Sequence, residues 1–170
     1  VRRLWGFAVA VPVLLATACS AGTANSSGTA DKPPGTGAPV SVPFETVLQT
    51  SVPGQAGQQR REAVRDAAAW AALWAELREG SGLPAEPPAV DFDREMVIAA
   101  AMETQSCVAK VTIRSITRSG EGLTVDLLEE PPAPNCICIT SARPIHIVKL
   151  AQEAGPVRFT AEQGVTRCGS

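Results

Sequence analysis

Between Met96 and Ala101 the chain is continuously apolar, a short run that predicts a buried strand from Glu95 to Ala101. Elsewhere the pattern alternates. Cys107, Ala109, Val111 and Ile113 fall on one face, and Lys110, Thr112 and Arg114 on the other. Leu123, Val125 and Leu127 alternate with Thr124 and Asp126, and Ser119-Gly120-Glu121-Gly122 between the two runs predicts a hairpin. Phe44 to Val52 has modest strand character and stops at Pro53-Gly54, while Arg60 to Val64 reads either as a returning strand or as the approach to a helix. Ile145 to Leu150 and Val157 to Thr160 are further strands, and Cys136 to Thr140 is expected to be strand-like after Pro131, Pro132 and Pro134 break the preceding pattern.

One segment changes period. Asp66 is a good N-cap ahead of an alanine-rich stretch, which predicts a helix from Ala67 to Glu79 ended by Gly80. Its expected apolar stripe is Ala67, Trp70, Ala71, Trp74 and Leu77, and the proline-rich stretch from Pro84 to Pro88 follows as a loop. One helix among six or seven strands joined by short turns implies an α+β domain, a mainly antiparallel β-sheet with one amphipathic helix packed on it.

The N-terminal pattern concerns address more than fold. Arg2 and Arg3 precede an apolar run from Leu4 to Ala18 that ends at Cys19, short for a membrane span and interrupted by Pro12. Leu15-Ala16-Thr17-Ala18-Cys19 resembles a lipobox, in which small residues precede a cysteine that is acylated and becomes the mature N-terminus. Residues 1–18 are therefore expected to be a lipoprotein signal peptide, with Cys19 the lipidation site. An ordinary leader cut near Ala18 or Ala21 would leave that cysteine unexplained. Residues 19–42 are small and polar, the composition of a flexible tether, and 43–170 form the folded domain. The expected location is the cell envelope, lipid-anchored on the extracytoplasmic side of the membrane. A net charge of −2, more acidic once Arg2 and Arg3 are removed, gives no electrostatic footprint for nucleic acid.

Export bears on the other four cysteines. Cys107, Cys136, Cys138 and Cys168 are an even set, and in an oxidising compartment they predict two disulfides. Direct pairing of Cys136 with Cys138 is disfavoured, since two strand residues on one face lie near the upper limit for a bridge. Each is expected to reach a different partner, one Cys107 and the other Cys168, with the choice between the two arrangements open.

Chemical readings of the remaining residues compete with structural ones. His146 is the only histidine; Ser141 and Asp126 could be set beside it, but no nucleophile elbow surrounds Ser141, and His146 falls within an alternating strand. Cys136-x-Cys138 with His146 and Cys107 could hold a soft metal such as Cu(I), or zinc, only if the thiols were reduced. Asp91, Asp93 and Glu95 alternate around Arg94 without an EF-hand pattern, so a solvated loop is the simpler reading than calcium or glycoside chemistry. Trp70 and Trp74 could line a groove, yet at helical spacing they read as core. No catalytic residue, cofactor or metal site is assigned.

Several segments together resemble a known family. Trp70-x-x-x-Trp74, then Val90-Asp91-Phe92-Asp93-Arg94-Glu95-Met96-Val97, the following hairpin, and Ser141-Ala142-Arg143-Pro144-Ile145-His146-Ile147-Val148 are similar to the C-terminal domain family of the protease-complex subunit PrcB, over about residues 62–160. Gln105-Ser106-Cys107 stands where many relatives have Gly-Gly-Tyr, a departure that suggests a disulfide-bearing branch. The resemblance implies a non-enzymatic accessory protein at the cell surface, binding an envelope or secreted protein such as a protease and stabilising it. The alternative is a small-ligand or metal-binding envelope lipoprotein that uses the Cys-x-Cys region.

Overall fold

A computed structural model describes residues 38–53, 56–120 and 122–168. Cys19, the signal segment and most of the expected tether lie outside the described residues. Among the described residues, nine strands and one helix follow in the order β1 (Val40–Ser41), β2 (Phe44–Pro53), β3 (Arg60–Val64), α1 (Ala67–Arg78), β4 (Glu95–Ala101), β5 (Gln105–Ser106), β6 (Lys110–Ser119), β7 (Gly122–Glu130), β8 (Ser141–Ala151) and β9 (Val157–Gln163). The domain is mainly antiparallel α+β with two disulfides, as the pattern predicted.

The strands make two sheets. One has the order β1-β6-β7-β9; the other runs β2-β8-β4-β3, with β5 paired to β8. Strand β4 lies inside the second sheet, and its unbroken apolar sequence follows from having two buried faces. Met96, Ile98 and Ala100 point between the sheets, where they meet Val111, Ile113 and Ile116 of β6, Leu123, Val125 and Leu127 of β7, and Val148 and Leu150 of β8. Val97, Ala99 and Ala101 point the other way, against Trp70, Leu73, Trp74 and Leu77 of α1. The result is three layers: sheet, sheet, helix.

Helix α1 starts where its cap places it, with the Asp66 carboxylate accepting the Ala69 N–H at 2.8 Å. Gly80 adopts φ +69° just beyond its end, the left-handed position that glycine fills without strain. The buried stripe is Trp70, Leu73, Trp74 and Leu77; Ala67 and Ala71, expected on it, face solvent. Two bulky indoles and two leucines bury more apolar surface than alanines could, and they set the rotation of the helix.

Two expectations change, and one strand pair adds a parallel exception to the mainly antiparallel pattern. Val40–Ser41 pairs with Thr117 and Arg118 of β6, and Val42 is buried, so the folded part begins before the expected tether ends. Strand β9 runs parallel to β7, because the chain between them crosses to the other sheet as β8 before returning. Cys136 to Thr140 forms no strand: the segment is irregular, and Ile137 and Ile139 are 97% and 102% exposed. Its cysteines are held by their sulfurs rather than by a ladder.

Candidate functional site

The residues first considered for chemistry are used in the scaffold. His146 faces the space between the sheets and is 3% exposed. Its Nδ1 accepts the Ile113 backbone N–H at 2.8 Å, which leaves the proton on Nε2, 3.0 Å from the Thr46 hydroxyl. Burial, and then the Lys110 ammonium, hold the imidazole below its ordinary value of 6.5, so the ring is neutral. The reason for a histidine here lies in β6. That strand pairs with β7 along one edge, while β1 covers only Thr117 and Arg118 of the other. Side chains from the second sheet serve the rest: His146 takes the Ile113 N–H, Gln49 donates to the Val111 carbonyl at 3.2 Å, and Ser51 donates to the Ala109 carbonyl at 3.2 Å. Ser141 is exposed at the start of β8, and Asp126 is engaged by Arg114 at 3.0 Å and by Thr160 at 3.5 Å. The three residues do not form a relay.

The acidic cluster closes on itself. Glu95 accepts the Asp91 backbone N–H at 3.1 Å, and Asp91 accepts that of Asp93 at 3.2 Å. The Asp91 hydrogen bond, with Lys149 3.4 Å away, keeps the Glu95 carboxyl below its usual range. Trp70 and Trp74 pack with ring centroids 5.4 Å apart, and their indole N–H groups donate to the carbonyls of Pro88 and Pro84 at 3.0 Å each. They are core residues whose polar atoms pin the proline-rich loop to the helix.

Two buried charges escaped the sequence analysis. Glu129 is 4% exposed and faces a cleft of about 440 Å³ also lined by Gln59, Met102, Glu103, Gln105 and Gln163. Its carboxylate accepts from Arg61 at 2.7 Å, Gln59 at 3.1 Å and Gln163 at 2.8 Å, tying β3 of one sheet to β7 and β9 of the other. Arg143 is 2% exposed and donates to the Gln58 carbonyl at 2.7 Å, with Met102 O and Glu76 Oε1 each at 3.4 Å. Gly57 lies against it so closely that a Cβ there would sit 2.7 Å from the guanidinium carbon. A signal existed for both residues. Glu129 continues the inward series Leu123, Val125, Leu127, and Arg143 shares the face of Ile145 and Ile147. Position in the alternation, rather than charge, carries that signal.

The remaining feature is the segment between β7 and β8. Cys138 is bonded to Cys107, just before β6, and Cys136 is bonded to Cys168, near the C-terminus, with Cα separations of 5.1 and 5.3 Å. This settles the pairing the sequence left open. All four of these cysteines are engaged, and among the described residues no group of three or more His, Cys, Asp or Glu side chains is placed to hold a metal ion. Cys107 takes φ +71°, and its N–H donates to the Thr140 carbonyl at 3.3 Å. The C-terminal segment is held alongside: Thr166 donates its N–H to the Pro131 carbonyl at 2.9 Å and its hydroxyl to Val108 O at 2.7 Å. Half-exposed Val108 and Val165 adjoin these contacts, at the same end as Ile137 and Ile139. Among the described residues, no hydrogen bond engages the backbone of Ile137, Cys138 or Ile139. From Pro131 to Ser141 there is no charged residue. Two exposed isoleucines thus stand on a short neutral loop crosslinked on either side of Ile137, a rigid apolar projection with unused backbone donors and acceptors. No family model, curated protein or solved structure matches the chain.

Proposed function

We propose that this is an extracytoplasmic accessory protein, lipid-anchored through Cys19, that binds another envelope or secreted protein through the loop carrying Ile137 and Ile139. One observation carries the reading: two branched aliphatic side chains are fully exposed on a backbone fixed by two disulfides. Isolated exposed apolar residues are ordinary, but a pair presented on a crosslinked loop is organised for contact, because the entropy of ordering has been removed before binding. Such anchors, inserted in a partner's pocket, dominate interface energetics. The resemblance to the PrcB C-terminal family supports an accessory role towards a protease. The tether expected between Cys19 and the domain would keep the loop near the membrane while letting it reach a partner.

The test is a pull-down from envelope extract with the oxidised, lipid-bearing chain as bait. The wild-type protein should retain a stoichiometric partner that an Ile137→Asp, Ile139→Asp double variant loses. A partner held equally by both proteins, or none held by either, overturns the reading.

A further inference from the structure

We propose that the loop docks in the substrate cleft of a serine endopeptidase, with Ile137 filling the specificity pocket and the Ile137–Cys138 peptide bond lying across the nucleophile. The inference rests on the binding role above and specifies its partner.

Three features of the loop point to a cleft rather than a flat surface. It stands open to solvent, with Pro134, Asn135 and every residue from Ile137 to Ser141 exposed. Its Ile137–Ile139 backbone has donors and acceptors free to pair with an extended binding groove, the mode by which a strand-like segment is held on an open edge. The stretch from Pro131 to Ser141 has no lysine, arginine or aromatic residue, so it lacks the anchors by which a loop settles on a membrane surface.

The crosslinks decide what happens to the bond. Cys136 ties the segment before it to Cys168, and Cys138 ties the segment after it to Cys107. When the protease serine oxygen adds to the Ile137 carbonyl carbon, the Ile137–Cys138 bond breaks, and the serine proton passes to the Cys138 amine. In an unlinked substrate that amine would diffuse away. Here its disulfide holds it beside the acyl-enzyme at high effective concentration, where it attacks the ester, reforms the peptide bond and returns the proton to the serine. The loop is bound as a substrate but not released as two products, so the protease is occupied and protected rather than fed. A branched aliphatic side chain at this position selects a pocket of small aliphatic specificity.

The oxidised full-length chain is incubated with elastase and, separately, with trypsin. Wild-type protein is expected to inhibit elastase stoichiometrically and reversibly, and any chain nicked at Ile137–Cys138 should separate into two pieces only after reduction. Ile137→Asp should weaken inhibition by about 30-fold or more, the loss typical of an anchoring side chain. Ile137→Lys should transfer inhibition from elastase to trypsin, a gain that misfolding cannot mimic. The proposal is overturned if the Lys variant leaves trypsin fully active, if elastase degrades the wild-type loop without being inhibited, or if Ile137 instead drives binding to phosphatidylcholine vesicles. Capture of an envelope partner that still depends on Ile137, with its active site open, would remove the cleft and leave the binding role intact.

Discussion

His146 shows how a residue suited to catalysis can be wholly occupied by the scaffold. Its ring completes the open edge of β6, and Nδ1 can accept the Ile113 N–H only while it carries no proton. The folded state therefore disfavours the charged ring, and its value is lowered from 6.5. The stability this contributes is present above the unfolded value, about 6.5, and is lost as pH falls towards the lower folded value. Thermal unfolding followed between pH 7.5 and 5 should show that decline, and His146→Ala should flatten it. At pH 7.5 the same variant should cost about 1–3 kcal/mol, because the Ile113 N–H loses its acceptor. Arg143 is a second buried polar anchor. Arg143→Ala opens a cavity and leaves the Gln58 carbonyl unpaired, so chemical denaturation should register a loss of about 2–4 kcal/mol. Gly57→Ala should also destabilise, since the guanidinium it would displace is buried and held by Gln58.

At the scale of elements, local signals and packing contribute separately. Asp66 capped α1 as its sequence position implied, and Asp66→Ala should cost about 1 kcal/mol by urea denaturation. Which face of α1 is buried was less legible, because an alanine-rich helix offers several stripes and the sheet selects the one bearing Leu73. The bulge between Ile113 and Ser115 is similar: it lets Ile113 and Ile116 both enter the core, which strict alternation would forbid. Glu129 and its partners join the two sheets beside the cleft it lines. Glu129→Ala removes the carboxylate from half-buried Arg61 and should lower the denaturation midpoint by an amount equivalent to roughly 3 kcal/mol, most of it from stranding that cation.

For the whole molecule, rigidity and exposure are separable. Ile137 and Ile139 make little contact with the core, so Ile137→Asp and Ile139→Asp should leave the melting temperature unchanged while abolishing partner capture. Reduction should act on both: it removes about 2–4 kcal/mol per crosslink and frees the loop, which weakens capture although both isoleucines stay in place. If reduced protein that remains folded by circular dichroism still captures its partner with undiminished affinity, the crosslinks are not what prepares the loop for binding.

The sequence by itself determined what depends on near neighbours and composition: strand and helix periods, the cap, the hairpin turn, and an even set of sulfurs too awkwardly spaced to pair locally. Tertiary structure decided whatever depends on residues distant along the chain. The β7–β9 pair is parallel because β8 lies in the opposite sheet. Glu129 and Arg143 are inside because partners dozens of positions away satisfy them. Cys107 joins Cys138 rather than Cys136 because the approach to β6 ends beside it. Exposure of Ile137 belongs to the same class. Hydrophobicity states a preference for burial, but crosslinks and packing determine where there is room: Cys136 and Cys138 are bonded to distant cysteines on either side, and the isoleucine between them is left outside.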